Sequence, residues 1–336
     1  MSEIVAESER APRRGERRSV AGAHGPYQPV ADCSVARTLD VFADPWTFLV
    51  MREAYFGIRR FDAFRAALEA SRGTLASRLA HLVTEGMMQR VPYQASPERF
   101  EYRLTKAGAA LYPAMIALMR WGDHWLAEGH EPPVRVWHRA CGRKTEPRIV
   151  CRACHGELDP REVSYALGPG AGKAPGAMPP RMRRSSRPEN FLRGRVDNVA
   201  RVLSIIGDRW TFLLIREAFF GVRRFDAMQS HLGVATNVLS ERLQRLVEVG
   251  IFERQLYSAH PERYEYRLTA KGRDLYPSHL MLMRFGEELR PGTGGPALLL
   301  THNACGQRLQ PALVCSGCGE EVGMRDMAYE VSPTAK

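Results

Sequence analysis

Between residues 35 and 126 the apolar positions change period twice. Val35 to Phe42 reads as a short helix, and Trp46 to Tyr55 as a second, with Phe48, Leu49, Arg52 and Glu53 at helical spacing. Gly57 stops that helix as a left-handed cap would. A third helix covers Phe61 to Leu68, and SRGT (71–74) reads as a turn. A fourth runs from Thr74 to about Glu85 and ends at Gly86. MMQRVPY (87–93) and RFEYRL (99–104) then read as strands around QASPE, a turn with Pro97. A long helix over Lys106 to Leu126 closes the run.

The whole pattern occurs twice. WTFLVMREAYFGIRRFDAFRAAL (46–68) returns as WTFLLIREAFFGVRRFDAMQSHL (210–232), with 15 of 23 positions identical, at an offset of 164 residues. PERFEYRLT (97–105) returns as PERYEYRLT (261–269), and no insertion breaks the register from Trp46 to Cys318. Helix, helix, turn, helix, hairpin, helix is the order of a winged helix-turn-helix module. The predicted class is therefore mainly α with small β-hairpin wings, built as two winged helix-turn-helix domains.

The fourth helix is amphipathic. Leu75, Leu79, Leu82 and Val83 share one face, matched by Leu239, Leu243, Leu246 and Val247. The opposite arc holds Thr74, Ser77, Ala80, His81 and Thr84, against Val238, Glu241, Gln244, Arg245 and Glu248 in the second copy. Such an arc would face a DNA major groove, where Ser, Thr, Gln and Arg can bond base edges. Thr74, Ser77, Arg78 and His81, with Thr236, Asn237, Gln244 and Arg245 in the second copy, are the expected readers. The copies agree on the packing face and differ on the other, so two such helices would read different sequences. Glu241 and Glu248 would meet phosphates, which weighs against contact by the second copy. Arg60 and Arg224 precede the third helix of each copy and could grip the backbone. Arg99 and Arg263 follow the hairpin tip, placed for phosphate or minor-groove contact. Glu98 and Glu262 lie beside them, so internal ion pairs are the rival reading.

A second pattern follows each module. HRAC (138–141) and CRAC (151–154) supply His138, Cys141, Cys151 and Cys154, and the duplication repeats them as His302, Cys305, Cys315 and Cys318. Two-residue gaps let tight turns aim paired side chains at one ion, and three thiolates with one imidazole suit a closed Zn²⁺ site. The expectation is one zinc-ribbon-like appendage per copy, two zinc ions per chain, each held by the four ligands of its own copy. A structural role is the default for so short a segment; a redox or metal switch is the alternative. His155 is left out because its counterpart is Gly319. Cys33 stands alone, with Asp197 at the matching place.

Composition narrows the partners. The net charge of +11 favours an anionic partner, nucleic acid first. Only 5 of the 48 basic residues are lysine, which reads as compositional bias or as bidentate contact chemistry. No apolar run approaches a membrane span, and the start lacks a signal-peptide core, so a cytoplasmic protein is expected. The expected divisions are a disordered basic tail (1–31), a first winged domain (32–130) and its ribbon (131–165), a linker (166–195), and a second winged domain (196–292) and its ribbon (293–330).

The blocks D-P/R-W-T-F-L, G-I/V-R-R-F-D, L-x-x-R-L-x-x-L-V-x-x-G and P-E-R-F/Y-E-Y-R-L-T-x-x-G occur in order and twice. They resemble the HxlR-type winged-helix transcriptional regulators of bacteria, over roughly residues 32–126 and 196–290. The resemblance implies a regulator binding double-stranded DNA and a dimer paired through terminal helices. With both copies in one chain, it points to a pseudo-dimer on one operator, with self-association of chains as a further option. Some proteins of that family sense redox state through a cysteine near the place of Cys33. No P-loop, GxGxxG after a strand, or GxSxG supports an enzyme. Trp121, Trp125 and Tyr112 on the long helix read as dimer or core contacts. The competing class is a protein-interaction or redox-sensing module in which DNA contact is partly lost.

Overall fold

In a computed structural model, residues 33–42, 44–127, 129–171, 198–292 and 294–331 are described. The expected basic tail and most of the expected linker lie outside them. The first repeat runs α1 (Ser34–Phe42), α2 (Pro45–Tyr55), α3 (Phe61–Leu68), α4 (Arg72–Thr84), β1 (Met88–Ala95), β2 (Glu98–Leu104), α5 (Lys106–Ala110), α6 (Tyr112–Trp125), β3 (Val134–His138), β4 (Arg148–Cys151) and β5 (Val163–Leu167). The second runs α7 (Asn198–Ile206), α8 (Arg209–Phe219), α9 (Phe225–Leu232), α10 (Thr236–Glu248), β6 (Phe252–Ala259), β7 (Glu262–Leu268), α11 (Ala270–Arg273), α12 (Tyr276–Leu289), β8 (Leu298–His302), β9 (Gln307–Arg308), β10 (Pro311–Val314) and β11 (Met327–Val331).

Two expectations change. SRGT is not a turn: α4 begins at Arg72, because the Ser71 hydroxyl accepts from the Thr74 amide at 3.1 Å and caps the helix two residues early. The long terminal helix is two helices, broken at Leu111, with Pro113 at the start of α6. Proline fits the first turn of a helix but would clash inside a continuous one.

Within each half, Leu75, Leu79 and Leu82 of α4, or Leu239, Leu243 and Leu246 of α10, are fully buried on the inner face of the helix. Asp44 caps α2 by accepting from Thr47 at 3.1 Å, and Asp208 caps α8 by accepting from Trp210 at 3.1 Å and Thr211 at 3.2 Å. The wings are antiparallel hairpins with a bulge at the same place, between Pro92 and Gln94 and between Leu256 and Ser258.

The halves join reciprocally. α1 packs on α12 and α6 on α7, and α6 also meets α12. The α1–α12 approach depends on Gly286, where a Cβ would stand 2.1 Å from the Ser34 carbonyl oxygen. Thr38 Oγ1 donates to the Leu282 carbonyl at 2.9 Å nearby. Trp121 donates to the Lys271 carbonyl at 2.9 Å and Trp125 to Asp274 at 2.8 Å, so both indoles fasten one half to the other. Cys33 is buried at this seam, its sulfur accepting from the Ala36 amide at 3.2 Å and from Arg216 of the other half at 2.6 Å.

The ribbon strands exchange partners too. β3 pairs with β11, β5 with β8 and β4 with β10, all antiparallel and all between repeats. Adding the 164-residue offset turns the first pairing into the second, which is the reciprocity of a twofold interface.

Candidate functional sites: two metal clusters and a nucleic-acid interface

The eight expected ligands gather into two clusters, but not by repeat. His138 and Cys141 meet Cys315 and Cys318; Cys151 and Cys154 meet His302 and Cys305. The expectation that each copy completes its own site is corrected, and strand exchange is the reason. β4 ends at Cys151 beside β10, which leads into Cys315, while β3 carries His138 against β11. Each ribbon segment therefore delivers its first ligand pair to one cluster and its second to the other.

The cluster dimensions can be checked against coordination chemistry. Two sulfurs about 2.3 Å from one tetrahedral ion stand about 3.8 Å apart. Cys141 Sγ and Cys315 Sγ are 3.9 Å apart, and Cys151 Sγ and Cys305 Sγ 4.0 Å. The His138 Nδ1 to Cys318 Sγ and His302 Nδ1 to Cys154 Sγ distances are both 3.3 Å. In each cluster all four ligand atoms lie within 4.8 Å of one another. The two clusters can each hold a metal ion.

The turns that aim the ligands are alike. Amides of Gly142, His155, Gly306 and Gly319 bond back to the carbonyls of His138, Cys151, His302 and Cys315 at 2.8–2.9 Å. All four turn residues have positive φ, including His155 at 58°, so His155 serves the turn and not the cluster. Burial opposes ionisation of Cys315, but hydrogen bonds from Thr145, from the Gly317 and Cys318 amides and from the Cys318 thiol outweigh it, bringing the thiol down to about 6.

On the reader helices the wheel and the structure part company. Arg78 turns inward and grips Asp44, Nε to Oδ1 and Nη2 to Oδ2 both at 2.9 Å. Its counterpart Arg242 meets Asp208 at 3.1 Å. His81 bonds the Val41 carbonyl at 3.1 Å, and Arg245 donates to the Ser204 carbonyl at 2.7 Å. Thr74 is half-buried, its hydroxyl 2.9 Å from that of Ser71. Ser77, Thr236, Asn237 and Gln244 are exposed, as are Arg99 and Arg263 on the wings. Glu98 and Glu262 do not take the wing arginines: the wing ion pairs are Arg103–Glu101 and Arg267–Glu265.

Three kinds of surface residue escaped the sequence. Arg72, Gly73 and Ala76 share the exposed arc with Ser77, Ala80 and Thr84; Ser240 joins Thr236, Asn237, Glu241, Gln244 and Glu248 on α10. Arg72 was hidden by the assigned turn. Arg60 and Arg224 lie over the rings of Tyr93 and Tyr257, 4.7 and 4.6 Å from the centroids. Both tyrosines are 39% exposed, and each holds its arginine beside the wing. The repetition of Tyr93 and Tyr257 at the 164-residue offset was the available signal.

A four-helix core, a reader helix on three leucines and a bulged wing occur twice, and the family model described as HxlR-like helix-turn-helix matches residues 41–130 and 205–292. The chain belongs to that family. It is similar to an uncharacterised HTH-type transcriptional regulator of Mycobacterium bovis, 48% identical over 140 residues that cover 42% of this chain and 89% of that protein. A second such regulator, from Synechocystis, is 36% identical over 97 residues, covering 29% of this chain and 72% of the relative. A solved structure of a candidate transcription factor from Pseudomonas aeruginosa is 32% identical, covers 40% of this chain and 92% of that one, and has a TM-score of 0.31. As an HxlR-like protein, the chain is a DNA-binding transcriptional regulator and not an enzyme. No helix among the described residues is long and apolar enough to cross a membrane.

Proposed function

We propose that one chain of this HxlR-like regulator acts as a complete pseudo-dimer in the bacterial cytoplasm. It sets α4 and α10 on two half-sites of different sequence within one operator. The observation that carries this reading is the reciprocal pairing of α1 with α12 and of α6 with α7, which does inside one chain what two subunits of a dimer do. The exposed faces of the readers then set the half-sites. Arg72 and Ser77 are the polar side chains of the first face near its start; Thr236, Asn237 and Glu241 are those of the second. Asn suits adenine and Glu accepts from cytosine, while Arg suits guanine. Arg60, Arg224, Arg99 and Arg263 supply sequence-independent phosphate contacts.

Zn²⁺ is the ion that fits the clusters: three thiolates and an imidazole at tetrahedral spacing leave no open position, as in structural sites. Each ion would tie the first repeat to the second, with a structural role.

Footprinting on the chain's own upstream region, joined to measurement of chains per operator, tests the reading. One chain should protect two half-sites, and binding should weaken steeply with salt. Asn237→Ala should relax one half-site, and Ser77→Ala with Arg72→Ala the other, each by about 1–3 kcal/mol per lost base contact. Two chains per operator, or the same bases relaxed by both sets, would defeat it.

A further inference from the structure

The two halves carry a matched pair of clefts away from the reader helices. The first, of about 260 Å³, lies between α6 and β3 and is closed by residues 144–147. The second, of about 370 Å³, lies between α12 and β8 and is closed by residues 308–311. The 164-residue offset converts one lining into the other: Met119 into Met283, Arg120 into Arg284, Asp123 into Glu287 and Lys144 into Arg308.

Core packing accounts for the floors. Ile116, Val136, Leu280 and Leu300 are buried, and apolar residues there are what helix-on-strand packing demands. It does not account for the rims. Arg120, Lys144 and Arg308 are exposed, and exposed positions on α4 and α10 have drifted: Ala76, Ser77, Ala80 and Thr84 stand against Ser240, Glu241, Gln244 and Glu248. Both rims nevertheless keep two cations and one carboxylate, a net charge of one positive among the kept groups.

The cations differ in how they are engaged. Arg284 donates to Glu288 at 2.7 Å and to the Pro311 carbonyl at 2.9 Å, so it is a wall of its cleft. Arg308 makes no hydrogen bond with its side chain among the described residues, and neither do Arg120 and Lys144. Burial raises the Glu287 carboxyl above the usual range despite Arg308 and Arg37 nearby, which lessens its opposition to an anion.

We propose that each cleft binds a small organic carboxylate with an apolar body. The carboxylate meets Arg120 and Lys144 in the first half and Arg308 in the second, and the body lies on the Met119 or Met283 floor. The guanidinium fork matches a carboxylate, and an apolar floor with few polar groups is the usual make-up of a small-ligand site. The first site also touches the seam between halves. Thr145, in its closing loop, lies 3.2 Å from the Ser316 hydroxyl and accepts from the Ser316 amide at 3.0 Å.

Calorimetric titration of the metal-loaded full chain with phenylacetate and with hexanoate tests this, with phenylacetamide as the neutral control. Saturable binding of at least one acid at two sites per chain is expected, with the amide about tenfold weaker or more for want of a charge-assisted bond. Arg120→Gln with Lys144→Gln should leave one site, and Arg308→Gln should leave the other. All three positions are exposed, and unchanged metal content and melting would show the variants folded. No saturable binding of either acid, equal binding of the amide, or two sites surviving in both variants would overturn the proposal. DNA plays no part in the readout, so failure here leaves the operator reading untouched.

Discussion

His81 in the first half and Arg245 in the second stand at the same place and do the same work. The histidine ring bonds the Val41 carbonyl at the end of α1, and the arginine donates to the Ser204 carbonyl near the end of α7. The last carbonyls of a helix have no partner within it, so either side chain satisfies one and ties the reader helix to its neighbour. One turn back, Arg78 and Arg242 keep both identity and partner, the aspartate that caps α2 or α8. The exposed arc of the same helices keeps neither: Arg72 and Gly73 face Thr236 and Asn237 across the duplication. Divergence in residue type is therefore a poor marker of a reading position unless the side chain is also free of a structural task. By that standard the difference between the halves narrows to the arc from Arg72 to Thr84 against that from Thr236 to Glu248.

The clusters offer the largest test of how the halves are joined. Cys141→Ser combined with Cys318→Ser strikes one cluster twice, because these residues share an ion across the repeats. One metal per chain should remain. If each repeat held its own ion, the same pair would strike both sites and leave none. Loss of an ion should also lower stability by several kcal/mol, given apparent zinc-binding energies of about 10 kcal/mol or more in small folds. The loss should fall on the seam between halves, seen as separate melting of the repeats.

Most of the fold was legible because it rests on periodicity, and periodicity is local. Leu75, Leu79 and Leu82 announce a helix face wherever the rest of the chain lies. The α4 start was misjudged because Ser71 and Gly73 both read as turn residues, and only the bond from the Thr74 amide shows the serine acting as a cap. The ligand identities were legible from spacing, yet their partition was not. Nothing in His138-x-x-Cys141 says which second pair completes the site; strand pairing at a separation of more than 160 residues decides it. The intramolecular partners of Arg78, His81 and Arg245 were not legible for a related reason. A helical wheel gives direction, but a long side chain can turn back to a carboxylate or carbonyl that the wheel does not contain.

A buried histidine separates the halves next. His279 is fully enclosed, both ring nitrogens facing backbone carbonyls of Leu275 and Phe212 at 3.2 Å, and the first half has Met115 in its place. Burial drives its pKa down from 6.5 to about 4, against the two carbonyl bonds. Above pH 6.5 the ring is neutral in the folded and unfolded chain, and its contribution to stability is complete. Below that the unfolded chain takes up the proton first, so stability falls until about pH 4, by about 3 kcal/mol for this group. His279→Met should remove that part of the acid slope and make the second half behave as the first. Melting of both proteins between pH 4 and pH 7 checks it, and identical slopes would mean that the ring is solvated.

The smallest expected effect gives the sharpest test of which residues read DNA. Arg78→Ala and Arg242→Ala each remove an ion pair whose arginine side chain is 31% and 21% exposed, respectively. Such pairs contribute about 1 kcal/mol at most once solvent screening is counted. Asp208 also accepts from two amides and from the Thr211 hydroxyl at 2.6 Å, so its cap survives loss of Arg242 better than the cap at Asp44 survives loss of Arg78. The Arg78 variant should therefore lose slightly more stability than the Arg242 variant. Arg78→Ala should leave base preference unchanged, because its side chain stays off the exposed arc; Arg242 also pairs with the exposed Glu241 at 2.7 Å, so Arg242→Ala frees that carboxylate and can alter its contacts as well. Ser77→Ala and Asn237→Ala should do the reverse, shifting base preference while leaving stability near that of the parent. A base-preference profile and a denaturation curve on all four variants separate the two roles. If Arg78→Ala relaxes one base pair at full stability, its grip on Asp44 is only the unbound arrangement, and the reader surface extends further inward than the exposed arc.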